Sequence, residues 1–174
     1  MPPAMIVEER MTVAEQIKAV VARLEEVGEP FDVIDGADWI EAVEAGFGRR
    51  LPAAFRCLVN CYAFSEFEIG EVTVFSNLKD GSATDITVAP FADPFMSSWL
   101  ISRGYIQFGR RTASYDPVCF DLSEAKKKEP PVVVFDHEDI LLERRRTRPQ
   151  LLAVSFLQLA EAALHNKMLG GTGR

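Results

Sequence analysis

The chain has 174 residues, 48% of them hydrophobic and 26% charged, which excludes a disordered or fibrous protein and suits one domain burying roughly 70% of its unfolded surface. No apolar run reaches the length of a membrane span, Glu8 and Glu9 interrupt the N-terminal stretch before any signal-peptide core, and three cysteines need no oxidising compartment, so a cytoplasmic protein is expected. The net charge of −7 is uneven: residues 1–100 carry −10 and residues 101–174 carry +3, a bias that repels nucleic acid and anionic membrane and attracts basic protein surfaces.

In chain order, Thr12 and Glu15 have the spacing of a capping box, and Val13, Ile17, Val20, Val21 and Leu24 recur at helical spacing until Gly28 and Pro30 supply a stop. Asp38 with Glu41 three residues later predicts the cap of a second helix carrying Trp39, Ile40 and Val43, ended by Gly46 and Gly48. Pro52 suits the first turn of a third helix, with Phe55, Leu58, Val59 and Tyr62 facing inward. After Ser65 the pattern turns to strand chemistry. Val72 and Val74 alternate with Glu71, Thr73 and Phe75, the stretch Asn77 to Ser82 is rich in turn formers, and Ile86 to Val88 reads as a returning strand. Asp93 and Pro94 announce a short helix carrying Phe95, Met96, Trp99 and Leu100 up to Gly104. Strands follow at Tyr105 to Phe108, Val118 to Leu122 and Val132 to Phe135, the last an apolar run of the kind buried on both faces. Ser155 with Gln158 opens the closing helix, lined by Phe156, Leu159, Ala160, Ala163 and Leu164. Helices, then strands, then a helix predict an α+β single domain with a mostly antiparallel sheet, its core spanning about residues 12–165 and its ends, 1–11 and 166–174, flexible. Phe55, Leu58, Trp39 and Phe156 are expected in one core.

Few residues look chemical. Cys57 and Cys61 share a helical face, but no further Cys or His lies nearby in sequence, and they are read as buried thiols rather than metal ligands. His137 sits among Asp136, Glu138 and Asp139, types that hold divalent cations or move protons, yet neighbours at a strand end point in different directions, and a turn with His137 bonded locally is expected. No nucleophile motif, phosphate loop or metalloprotease pattern occurs. The basic runs Lys126 to Lys128 and Arg144 to Arg148 are flanked by acids and lack interleaved aromatics, so they are read as solvated loops. The acids Glu66, Glu68, Glu71, Asp80 and Asp85 cluster around the first hairpin as candidate partner-binding groups, with Phe64, Phe67, Phe91 and Phe95 nearby read as core.

Several short patterns occur together in order: Ile40, Glu44, Gly46, Gly48, Leu51, Pro52, Phe55 and Leu58; then Ile106, Phe108 and Gly109; Phe120, Asp121 and Leu122; Pro131, Val132, Val133, Asp136, His137 and Glu138; and Ser155 with Phe156. In this order the chain resembles the SUKH superfamily, which includes the fungal Smi/Knr cell-wall-synthesis regulators. It departs where members often have Asn-Gly and this chain has Asn60, Cys61 and Tyr62, and in the longer segment Ser76 to Gly104. Bacterial members mostly bind and neutralise toxins, many of them nucleases, and fungal members act as regulatory hubs. The resemblance implies a protein-binding domain, an immunity protein with a basic toxin domain as partner, and no catalytic residue, cofactor or metal. A regulatory adaptor with a host protein partner and a metal-dependent hydrolase centred on His137 are the alternatives.

Overall fold

The computed structural model describes residues 10–124, 129–143 and 147–170. Residues 1–9 and 171–174 of the expected flexible ends, and the basic residues Lys126 to Lys128 and Arg144 to Arg146, lie outside the described residues. Helix α1 (Val13–Glu26) opens with the predicted capping box, Thr12 Oγ1 accepting from the Glu15 N–H while Glu15 returns a carboxylate oxygen to the Thr12 N–H. It buries Ile17, Val20, Val21 and Leu24. A short strand β1 (Asp32–Val33) leads to α2 (Ile40–Phe47) and α3 (Ala53–Cys61).

The cap of α2 differs from expectation. Trp39 holds the N-cap position without a side-chain bond, because Asp38 is turned away into an ion pair with Lys79 at 2.9 Å. Of the two glycines, Gly48 ends the helix in the left-handed conformation (φ 65°), whereas Gly46 lies inside it, where a Cβ would come within 3.0 Å of the Phe91 ring. Glu44 then ties α2 to α3, its Oε1 accepting from the Leu51 N–H (3.0 Å) and the Arg56 Nε (2.9 Å). Pro52 precedes α3 rather than filling its first turn, and Glu129 supplies an acceptor to the Ala54 N–H.

Strand β2 (Tyr62–Ala63) pairs with β1, and a second, larger sheet follows. Its strands are β3 (Phe67–Ile69), β4 (Val72–Val74), β5 (Tyr105–Arg111), β6 (Pro117–Asp121), β7 (Val132–Val134) and β8 (Gln150–Ala153), adjacent in chain order and antiparallel throughout. Helix α4 (Pro94–Ser102) crosses between β4 and β5, α5 (His137–Leu141) between β7 and β8, and α6 (Phe156–Gly170) closes the chain. The α+β class and the antiparallel sheet are as expected. The returning strand at Ile86 to Val88 is not formed: Asp85 takes the Thr87 N–H and hydroxyl on one oxygen and the Gly81 N–H on the other, folding the segment on itself. β8 went unread because Leu151 and Leu152 are not β-branched and follow Pro149.

One face of the sheet receives α1, α2, α3 and α6. Phe55 of α3 packs at 5.4, 5.3 and 5.4 Å from the rings of Phe108, Phe120 and Phe156, and Phe108 stacks on Phe120 at 4.1 Å. Trp39, Phe55, Leu58 and Phe156 therefore share one core, as predicted. A β-bulge between Gln107 and Gly109 makes this possible by giving β5 one residue more than its partner, Phe108, directed into the core beside Ile106. Gly109 permits the close strand approach, since a Cβ there would lie 2.5 Å from the Thr73 carbonyl oxygen. The opposite face is covered over β6, β7 and the start of β5, where Leu100 and Ile140 from α4 and α5 pack on Cys119, Val133 and Phe135, with Tyr105 beside them. β7 is thus buried on both faces, as its apolar run predicts.

Two substitutions test this core. Phe55→Ala should cost about 3–5 kcal/mol of unfolding free energy, and Gly109→Ala about 1–3 kcal/mol through forced strand separation. Urea denaturation of both variants checks them; an unchanged midpoint for Gly109→Ala would mean that the bulge is not close-packed.

Candidate partner-binding face

The uncovered half of the second sheet face is laid out by strand register. Glu68 pairs with Thr73 and Thr73 with Arg110, so these three side chains form a row across β3, β4 and β5. Glu66, Glu68, Thr73, Arg110 and Thr112 line an open groove of about 390 Å³. Arg110 sits 5.6 Å from the ring of Tyr115, which stands in the β5–β6 turn with 73% of its surface exposed. The Tyr115 ring in turn meets the imidazole of His137 edge-on at 6.3 Å.

His137 is anchored across 21 residues of sequence: its Nδ1 lies 2.7 Å from Asp116 Oδ1, and its backbone N–H donates to the same oxygen at 3.0 Å. Burial alone would raise the Asp116 pKa, but hydrogen bonds from His137 and Ser114 outweigh it and hold the carboxyl below its ordinary value. An ionised Asp116 is acceptor-only, so Nδ1 carries the hydrogen, and Nε2 makes no bond among the described residues. Asp136 caps α5, its Oδ1 accepting from the Glu138 and Asp139 N–H groups. Ligand atoms of Asp116, Asp136 and His137 all lie within 4.8 Å of one another. These are cation-binding types, and the Oδ1 of each aspartate already accepts two bonds within the fold.

Beside His137 is a slot of about 300 Å³ between the 3-10 turn Ala89–Phe91, α4 and α5. Pro90, Ala92, Met96 and Leu141 give it apolar walls, with Gln107, Tyr115 and His137 at one side and Asp93 at another. Asp93 caps α4 as predicted, its Oδ1 accepting from the Phe95 and Met96 N–H groups at 3.0 Å.

The five acids picked out in the sequence separate into three places. Glu66 and Glu68 share the groove; Glu71, at the hairpin turn, pairs with Arg111 at 3.5 Å. Asp80 is exposed in the 76–88 loop, where it accepts the Ser82 N–H. Asp85 is 0% exposed, with its carboxylate consumed by loop N–H and hydroxyl groups. Phe64 and Phe67 are core and Phe91 is half-buried against Phe47, but Phe95 is 43% exposed, because α4 turns only its opposite side to the sheet. Cys57 and Cys61 are half-buried rather than buried, and burial with the neighbouring Cys61 raises the Cys57 thiol pKa. The expected strand-end turn at His137 is the first residue of α5. Tyr115, Arg110 and Asp116 carried no sequence signal, since only the β5–β6 turn and the register bring them to His137.

The motif residues of this architecture are those of a known family, whose pattern matches the chain over residues 36–159. The chain belongs to the SMI1/KNR4 family (SUKH-1). No individually curated protein matches it. SUKH-1 membership fits a protein-binding role, and no described helix is long and apolar enough to cross a membrane.

The Asp116–His137 bond has a pH signature. A carboxyl whose folded pKa is depressed stabilises the fold while ionised, above the ordinary carboxylate range, and that contribution is lost as pH falls through the folded value. Asp116→Asn should cost about 1.5–3 kcal/mol at neutral pH, and its gap to wild type should close on acidification below the carboxylate range. Urea melts at a series of pH values check this; a gap independent of pH would remove the charge from the interaction.

Proposed function

We propose that this protein is an immunity-type binding domain that neutralises a basic toxin domain by laying the open half of its sheet against it. The observation that carries the reading is Tyr115, an aromatic 73% exposed on a sheet turn, standing between the acids Glu66 and Glu68 on one side and Asp116 and Asp136 on the other. Such an aromatic anchor within a charged surround is the anatomy of an interface hot spot, and the acids steer a basic partner toward it. Nuclease toxins fit as partners, because a surface that binds nucleic acid is positively charged. The role is occlusion: it uses no catalytic group, cofactor or metal of this chain, and neither nucleic acid nor membrane is its partner. Glu66, Glu68 and Glu71 are retained as binding groups and Asp80 as a peripheral one. Asp85 is not retained, since a fully buried carboxylate cannot touch a partner.

Steering charges act on the association rate and are screened within about 10 Å at 0.1 M salt. Reversing Glu66, Glu68 and Glu71 to Lys together should slow association with the toxin domain encoded beside this protein by about tenfold or more at low salt, leave the thermal melt nearly unchanged, and lose its effect at high salt. Surface binding kinetics at two salt concentrations measures this. Equal association rates for both proteins would sink the assignment of the face, and capture of a host regulatory protein in place of the toxin would favour an adaptor.

A further inference from the structure

Asp93 on the slot and Asp116 and Asp136 beside His137 are each anchored within the fold. Asp93 and Asp136 each accept two hydrogen bonds within the fold, both on Oδ1, and Asp116 Oδ1 accepts two from His137. Among the described residues, no hydrogen bond or ion pair reaches Asp93 Oδ2, Asp136 Oδ2 or His137 Nε2. Asp93 and Asp136 are thus each held in place through one oxygen, with the other unbonded among the described residues. Asp93 lines the slot, and a carboxylate oxygen of Asp136 lies within 4.8 Å of the ligand atoms of Asp116 and His137. Between them lie the apolar walls of Pro90, Met96 and Leu141 and the exposed face of Tyr115.

The occupant must therefore combine an apolar stem with a head that only donates hydrogen bonds and carries positive charge. Its length must match a slot of about 300 Å³, the scale of a single side chain. Arginine meets each condition: its methylenes suit the apolar walls, its planar guanidinium offers five donors and no acceptor, and it stacks on an aromatic ring such as Tyr115. Arg110 already approaches that ring within this chain, 5.6 Å from its centre, on the groove side.

Resting on the toxin-binding reading, we infer that this slot receives one arginine of the partner, its stem against Met96, Pro90 and Leu141 and its guanidinium on the free oxygens of Asp93 and Asp136 and on His137 Nε2. The acidic groove at Glu66 and Glu68 governs the encounter; the slot governs residence, because a head group bound there is desolvated and doubly held.

The test uses the intact protein and a small probe. N-acetyl-arginine-N-methylamide is titrated while the Met96 methyl and His137 imidazole resonances are followed, with the isosteric, uncharged citrulline analogue as control. Saturable shifts at both residues with a Kd on the order of 1 mM are expected, and the citrulline analogue should bind on the order of tenfold more weakly. The double variant Asp93→Asn with Asp136→Asn keeps both helix caps, since Asn caps as well as Asp, and should weaken the arginine probe about fivefold with an unchanged melt. Equal affinity for the citrulline analogue, shifts confined to other residues, or an unaffected double variant would each overturn the assignment. The outcome is separable from that of the face as a whole. A silent slot with association still slowed by the Glu66, Glu68 and Glu71 reversals removes the arginine and leaves the face; probe binding with unchanged association rates removes the face as the toxin's docking site.

Discussion

The packing of Phe55 against Phe108, Phe120 and Phe156 is the contact on which the rest of the molecule depends. It joins α3, the two central strands and the closing helix through four rings separated by 4.1 to 6.3 Å. Large aromatic groups dominate core energetics and prefer such tilted and edge-on arrangements. Phe108 reaches the cluster only because β5 carries an extra residue, and β5 tolerates it only because Gly109 has no Cβ to strike the Thr73 carbonyl. Filling one face of the sheet this completely leaves the short helices α4 and α5 to cover the other. They reach β6, β7 and the Tyr105 end of β5, and β3, β4 and the Arg110 end of β5 become the candidate face.

The face is rigid for local reasons. Three of its acidic groups are fixed within the fold: Asp93 and Asp136 are helix caps, and Asp116 grips both the backbone and the ring of His137. A carboxylate already fixed through one oxygen loses little conformational entropy when the other meets a partner. The 76–88 loop is organised similarly, but inward. Asp85 and Asn77 give their polar atoms to backbone groups, Asn77 accepting from the Phe64 N–H and donating to the Val59 and Tyr62 carbonyls.

The residues shared with the SUKH-1 family have physical tasks in the fold. Glu44 stitches α2 to α3, Gly48 ends a helix with φ 65°, Gly109 allows the bulge, and Asp136 starts α5. Tyr115 and Asp116, which shape the candidate face, stand in the turn between β5 and β6. Family membership therefore speaks to architecture and broad role, while the identity of a partner is written in residues that the architecture merely positions.

What the sequence determined by itself was everything governed by spacing within a few residues. The capping box at Thr12, the Asp93 cap, the glycine stop of α1, the doubly buried β7 and the α+β class were legible, because each depends on periodicity or on a side chain bonding its own neighbourhood. Where a long-range contact competed with the local one, the local reading failed: Asp38 forgoes its cap for Lys79, and Asp85 turns inward instead of joining an acidic surface. The candidate site was divided in the same way. The acids Glu66 and Glu68 were visible as a charge pattern and stayed exposed. Asp116, Arg110 and Tyr115 were not visible, since no spacing along the chain links position 116 to position 137. Only the pairing of β5 with β6, the hydrogen bond from the Phe135 N–H to the Pro117 carbonyl, and the helix that starts two residues later bring those side chains together. Long-range register decided the face, because it is set by which side chains fill the core and not by any property of the exposed residues themselves.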